Sequence, residues 1–413
     1  MTRGNRTPRL VIAGALVVTL GLLGGEASAG PKRATLTTIT VDTLPIANAL
    51  PLDLGIAKGF FSSHGIEIKK QILQSGNDIV LALANHNGDI GYLGYTPMMI
   101  ARTQSIPITL LAASEVEGTS TADNWQNVLV KGNSSIRSPA DLAGKTIAVN
   151  ALKGVSEVVI KAALKKLGVD PNSIKLLAIP FPSMRTALNN GQVDAIHVPE
   201  PFLTQGLTLD GDRIVLAPGP TLGNYWPNGG YAALSDWIKS NPALAKNFRL
   251  AMNESVEYAQ SHPDEIRALL PAALQNIRLA IWSSAIDRTQ LLALAKAAKE
   301  FDVIASLPNF TQLFPSDIRS GFATGLLEAS VGKKVVLRQA GKAPSRLDPG
   351  TYLLIVKDTS KTAGFRIAGP GVAASTGTRK TGTARITITL QPGRYVYTSV
   401  GGGKISRGSF SVS

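Results

Sequence analysis

The stretch Lys153-Gly154-Val155-Ser156 lies between an apolar run and a strong helical pattern. A glycine-containing turn that opens a helix leaves backbone N–H groups free, and these with the helix dipole favour a carboxylate, sulfonate or phosphate. Ser156 is also a good helix cap, so the residues support anion binding, capping, or both at once. Glu200 follows the run Ala195–Val198 and precedes Pro201, a residue suited to the first turn of a helix. Its carboxylate fits an amine or hydroxyl on a ligand, and equally a role at the helix dipole or across an interface. The turn favours an anion and the glutamate tolerates a cation, which leaves the ligand's charge open. Tyr225 and Trp226, set among glycines and prolines in GNYWPNGG, suit stacking on a ring or covering an alkyl chain, or packing between two lobes. Asp42-Thr43-Leu44-Pro45, Gly76-Asn77 and Tyr95-Thr96 each follow an apolar run. The candidate ligand-binding set is therefore Thr43, Pro45, Asn77, Tyr95, Thr96, Gly154, Val155, Ser156, Glu200, Tyr225 and Trp226.

No residue pattern points to catalysis or to a cofactor. The chain has no cysteine, which removes thiol chemistry, disulfides, thiolate metal sites and a cysteine for lipid attachment. The histidines are His64, His86, His197 and His262. None stands at metal-ligand spacing from another histidine or a suitable acid. GVSEV lacks the strand–elbow pattern of a hydrolase nucleophile. His197, near the Glu200 loop, is the one worth testing, with a structural or ligand-contact role expected.

The elements that must position these residues alternate. Apolar runs at Leu36–Val41, Ile66–Leu73, Ile90–Leu93 and Ile108–Ala112 read as strands, with helices over Ala49–Phe61, Asp78–Ala84 and Met98–Arg102. The pattern restarts with strands at Asn127–Val130, Thr146–Val149, Ile174–Ile179 and Ala195–Val198 and helices at Ser156–Leu167 and Ser183–Asn189. From Asp236 to Glu300 it is almost all helical, with breaks at Pro242 and His262-Pro263. Such alternation argues for α/β sheets with helices on their faces, where ligands bind beyond the carboxyl ends of the strands. Beyond Leu326 short strands are separated by Pro349-Gly350, Gly369-Pro370-Gly371 and Pro392-Gly393, the pattern of a small β-sandwich.

Three stretches carry a family resemblance: DLGIAKGFFSSHGIEIK (Asp53–Lys69), SPADLAGKTIAVNALKGVSEVVIKAALKKLGVDP (Ser138–Pro171) and MRTALNNGQVDAIHVPEPF (Met184–Phe202). Together they resemble ABC-transporter substrate-binding proteins of the sulfonate/taurine/nitrate and thiamine-pyrimidine-precursor type, over roughly residues 35–325. The resemblance implies an α/β, two-lobed periplasmic-binding-protein-like fold that closes on a small ligand and delivers it to an ABC importer permease. Lobe 1 is expected over about 35–118 and 218–330, and lobe 2 over about 119–217, within a solute-binding domain of 30–330. Fungal thiamine-pyrimidine synthases resemble the same fold, but they depend on a cysteine-rich motif that this chain lacks, so a non-enzymatic role is expected; separately, a monomer is expected. The rivals are an enzyme acting on a thiamine-precursor-like substrate and an envelope-binding surface protein.

Residues 346–412 resemble the cupredoxin-like β-sandwich, here assigned to 331–413. In that family the copper ligands fall where this chain has Ala363, Ser399, Gly402 and Ser406. A His₂Cys(Met) centre needs its thiolate and imidazoles, so the resemblance implies the fold without the metal. Residues 331–413 hold 14 Lys or Arg against only Asp348 and Asp358, whereas 30–330 is charge-balanced. A neutral body with a basic tail module indicates two units with different partners. The basic module is expected to dock on anionic cell-envelope polymers or lipids, or to act as a soluble spacer; few aromatics interleave its charges, which disfavours nucleic acid. At the other end, Arg3, Arg6 and Arg9, the apolar run Leu10–Gly25 and Ala27-Ser28-Ala29 read as a cleavable signal peptide over 1–29, or else a signal anchor. An extracytoplasmic protein that is not a lipoprotein is expected.

Overall fold

Runs such as ITLLAASEV (β4, below) and QNVLV (β5) are apolar on both faces, the mark of strands covered by helices on both sides of a sheet. In the computed structural model they do form such sheets. The structure describes residues 36–118, 120–223, 225–314, 326–332, 334–339, 342–347, 350–378, 381–401 and 405–413. The expected signal segment 1–29 lies outside them. Among the described residues no helix is long and apolar enough to cross a membrane.

The first lobe carries β1 (Thr37–Thr43), β2 (Ile66–Ile72), β3 (Ile90–Gly94) and β4 (Ile108–Val116). The chain then crosses to β5 (Gln126–Val130), β6 (Thr146–Val149), β7 (Lys175–Ala178), β8 (Ala195–Pro199) and β9 (Arg213–Leu216) of the second lobe. It returns through β10 (Pro227–Leu234) and β11 (Ile281–Trp282). The two sheets have the orders β11-β4-β10-β3-β1-β2 and β7-β6-β8-β5-β9. Residues 117–125 and 217–226 are thus the two crossings between lobes. They are tied together where the Glu117 amide donates to the Trp226 carbonyl at 2.7 Å.

Three sequence expectations change. The glycine-rich stretch after Trp226, where no strand is expected, opens β10, antiparallel to β3 and β4 in mid-sheet. A Cβ at Gly230 would come within 2.5 Å of the Ala112 carbonyl oxygen, so close backbone approach requires glycine there. The Ala49–Phe61 helix divides into Leu50–Ala57 and Phe60–Ser63 at Gly59, whose φ of +77° suits glycine. The helical return segment contains helices Pro242–Ser261 and Arg288–Glu300 but places β11 between them, paired with β4.

The remaining strands are β12 (Leu326–Val331), β13 (Val335–Arg338), β14 (Arg346–Leu347), β15 (Gly350–Asp358), β16 (Ala363–Gly369), β17 (Val372–Ser375), β18 (Gly382–Leu390), β19 (Gly393–Gly401) and β20 (Arg407–Val412). They form a four-stranded sheet, β13-β12-β15-β18, and a five-stranded one, β14-β20-β19-β16-β17. Alternate residues of both, including Leu354, Val356 and Ile388 from one and Phe365, Tyr395 and Phe410 from the other, share one core, which makes a β-sandwich. The boundary expected at 330/331 cuts through β12. Tyr395 closes a corner, its hydroxyl donating to the Pro370 carbonyl at 2.6 Å and accepting from the Gln391 amide at 2.9 Å.

Candidate functional site: a cleft between the lobes

Helix Val155–Lys166 begins directly after β6, at a turn where Lys153 adopts the left-handed conformation (φ 55°) and Gly154 is the N-cap. No side chain caps its first turn. Ser156, which sequence allowed as a cap, is instead bonded through its hydroxyl to His197 Nδ1 at 2.9 Å. Burial drives the His197 imidazole down to a pKa of about 3, so this partner is neutral at any physiological pH. The Lys153 amide is taken by the Glu157 carboxylate at 2.8 Å. Gly154, Val155 and Ser156, at the start of this helix, line a cavity of about 50 Å³.

Both lobes build its wall. Lobe 1 supplies Leu44, Ile46, Gly76, Gly94, Pro97 and Asn228. Lobe 2 and the first crossing supply Trp125, Gln126, Asn150, the Gly154–Ser156 turn, Phe181 and Pro199. Among the described residues no charged side chain lines it; the polar side chains there are the amides of Gln126, Asn150 and Asn228 and the hydroxyl of Ser156. The lobes are drawn together over it. Asn77 Nδ2 donates across the cleft to the Leu152 carbonyl at 3.3 Å, and a Cβ on Gly94 would lie 2.4 Å from Val155 Cγ2 on the other lobe.

The sequence candidates divide. Gly154, Val155 and Ser156 line the cavity, and Asn77 bridges its mouth. Thr43 and Thr96 are buried with hydroxyls that lack hydrogen-bond partners, whereas the half-buried Pro45 stands between the lining residues Leu44 and Ile46. Tyr95 packs edge-on to Phe314, ring centroids 6.1 Å apart, in the lobe 1 core. Trp226 belongs to that core too, and Tyr225 packs against Ile281 and Ile355 of β15. Neither aromatic of the pair lines the cavity. Glu200 is fully buried, and its carboxylate accepts from the Thr204 amide (3.0 Å), the Thr204 hydroxyl (2.8 Å) and the Arg278 amide (3.1 Å). It fastens helix Phe202–Leu209 of lobe 2 to the return segment, the interface role rather than the ligand role.

Sequence reasoning missed Gln126, Asn150 and Asn228 on the wall and Glu117 behind it. Glu117 Oε1 accepts from Gln126 Nε2 and from Asn228 Nδ2, the latter at 2.8 Å, so one buried carboxylate orients an amide from each side of the hinge. Burial pushes Glu117 up to about 8 and the neighbouring Glu115, bonded by Tyr92 at 2.8 Å, up to about 7. The only sequence signal was ASEVEG at a strand end, where acids usually face water. Among the described residues there is no group of three or more His, Cys, Asp or Glu that could hold a metal ion. In the β-sandwich, Ser399 and Ser406, two of the positions that the cupredoxin resemblance would align with copper ligands, bond each other: the Ser406 amide donates to Ser399 Oγ at 2.9 Å. Gly402 lies outside the described residues.

Residues 47–266 match the family model described as "NMT1/THI5 like". The chain is 26% identical over 291 residues to the taurine-binding periplasmic protein of Escherichia coli, covering 69% of this chain and 82% of that one. It is 25% identical over 248 residues to the nitrate/nitrite binding protein NrtA of a Nostoc species, covering 56% of each. The alkanesulfonate-binding protein SsuA from Xanthomonas axonopodis pv. citri, solved with MOPS bound, has the same fold at a TM-score of 0.55 and 21% identity, over 67% of this chain and 96% of that one. The chain belongs to the NMT1/THI5-like family, in its two-lobed periplasmic-binding-protein-like form.

Proposed function

We propose that this protein is an extracytoplasmic, non-enzymatic solute-binding protein that captures a small anion between its lobes and presents it to an ABC importer permease. The observation that carries the reading is the uncapped start of helix Val155–Lys166 in the lining of a small two-lobed cavity that, among the described residues, has no charged side chain. A helix N-terminus favours negative charge, and neutral amides can complete the coordination of one charge without a counter-ion. The cavity is far smaller than the roughly 300–1,000 Å³ of drug-sized ligand sites. With no carboxylate in the lining, a simple monoanion such as nitrate, bicarbonate or a short alkanesulfonate fits better than a zwitterion carrying an ammonium group. Gly154, Val155 and Ser156 would hold the anion, with Asn77, Gln126, Asn150 and Asn228 completing closure. The test is a thermal-shift and calorimetric screen of the full chain against nitrate, bicarbonate, methanesulfonate and taurine. Saturable binding of one or more without turnover supports the reading; turnover of a bound compound moves it to an enzyme.

A second reading concerns the outer face of the five-stranded sheet. Register places Arg407, Thr398, Arg366 and Ser375 in one cross-strand row, and Arg346, Ser411 and Arg394 in another. All four arginines are exposed. Each row sets its arginines two strands apart, about 10 Å, with a hydroxyl between them. We propose that this face retains the protein on an anionic envelope polymer or lipid surface. Arg366→Ser combined with Arg394→Ser should lower the salt concentration that elutes the protein from cells; unchanged elution leaves the module a spacer.

A further inference from the structure

Register on the four-stranded sheet puts Glu328 of β12, Ile355 of β15 and Arg385 of β18 in one cross-strand row. Their neighbours along β15 and β18, Leu354, Val356 and Ile388, point into the sandwich core, so this row points the other way. It points at the hinge. Ile355 is 1% exposed and packs with Tyr225 of the second crossing and Ile281 of β11, against Val116 where the first crossing begins. Arg385 lies within electrostatic reach of Tyr225 and of Asp123 in the first crossing, and Glu328 within reach of Tyr225. One face of the β-sandwich therefore touches both segments through which the lobes are joined. Tyr225 itself is held at a φ of 62°, a conformation that surrounding contacts must maintain.

Hinge closure concentrates its backbone change in a few crossing residues. The docked arrangement coexists with lobes drawn together, since Asn77 reaches Leu152 and Gly94 meets Val155. To open, residues 117–125 and 217–226 must rotate, and Tyr225 must then slide off Ile355 or carry the sandwich along. We infer that the C-terminal β-sandwich is a hinge strut: Ile355 and Arg385 are positioning residues that bias the lobes toward the closed state and so set ligand affinity from outside the cleft. This rests on the solute-binding reading only in assuming that the lobes move.

The test needs no ligand. The chain has no cysteine, so spin labels at Leu81→Cys, on helix Gly76–Ala84 of lobe 1, and Leu152→Cys, on the turn after β6 of lobe 2, both exposed, report the lobe separation by pulsed EPR in the full chain. Ile355→Asp and Arg385→Glu should each move the closed-to-open ratio roughly tenfold toward longer distances, a shift well within the worth of one buried isoleucine side chain. Arg385→Lys should restore the parent distribution. Both substitutions face away from the sandwich core, and near-UV circular dichroism reports its integrity; should Ile355→Asp lose that signal, Ile355→Ala replaces it. Folded variants with the parent's distance distribution would overturn the strut. A protein that binds none of the anions above still answers this question, so the two readings fail separately.

Discussion

Glu117 offers the sharpest test of how the hinge is built. It is 1% exposed and its Oε2 has no hydrogen-bond partner, while Oε1 accepts from Gln126 and Asn228. Burial lifts its carboxyl from 4.5 to about 8, outweighing the side-chain donors Gln126, Asn228 and Asn124, and the charge of Glu115 adds to the rise. A carboxyl whose folded pKa exceeds its unfolded one binds more protons when folded. Its contribution to stability is complete below about pH 4.5 and is lost as pH climbs through about 8. At about 1.4 kcal/mol per unit, that interval caps the loss at about 5 kcal/mol. Glu117→Gln is neutral at every pH and keeps an oxygen for Gln126 and Asn228. It should match the parent within about 1 kcal/mol at pH 5 and exceed it by about 2–4 kcal/mol at pH 9. Scanning calorimetry of both proteins from pH 5 to 9 reads this as melting curves that diverge steadily from about pH 5 and level off above about pH 8. Glu115→Gln, whose parent group sits at about 7, should diverge from the same pH but level off earlier, near pH 7, with a smaller final difference. Parallel curves for Glu117→Gln and the parent would refute a neutral, desolvated Glu117.

Other positions give independent checks. Gly94→Val should prop the lobes apart through Val155 and weaken anion binding at least tenfold while leaving the melting temperature of the ligand-free protein nearly unchanged; adding Val155→Ala should recover part of the loss in calorimetric titration. Glu200→Ala strips one buried acceptor from three donors and should cost about 2–3 kcal/mol in denaturant unfolding. The His197 imidazole should stay neutral in NMR spectra from pH 8 down to pH 5, because burial holds its pKa at about 3; protonation near 6.5 would show that water reaches the Ser156 pair. Ser156→Ala should weaken anion binding without altering that titration.

Much of this was legible in the sequence for one physical reason: burial leaves a pattern. Continuous apolar runs gave the strands of both lobes, and the glycine turn before Val155 marked the helix start that opens on the cleft. The failures occur where close approach or polarity replaces apolar burial. No strand is expected over Pro227–Leu234, since Gly229 and Gly230 belong to turns in most chains, yet here they let β10 pass between β3 and β4 without a Cβ in the way. Tyr225 reads equally as a ligand platform or as packing between lobes, and nothing local announces that Ile355, 130 positions onward, will cover it. Glu117 was invisible for the opposite reason. An acid at a strand end is ordinarily solvated, and only the three-dimensional meeting of the two crossings removes its water.

The two faces of the β-sandwich divide its work by chemistry. Arg346, Arg366, Arg394 and Arg407 stand on the exposed face of one sheet, while Ile355 and Arg385 stand on the face of the other that meets the hinge. Between them lies a core of aliphatic and aromatic side chains that transmits no charge and deforms little. Retention on a polyanion through the outer face would therefore leave the hinge face free to act, and would hold one side of the strut still while the lobes move against it. Tethering should then stiffen the hinge rather than merely localise the protein. The lobe-separation measurement tests this directly: polyphosphate added to the labelled full chain should narrow its distance distribution, and Arg366→Ser with Arg394→Ser should abolish that narrowing. Identical distributions with and without the polymer would make the two faces independent.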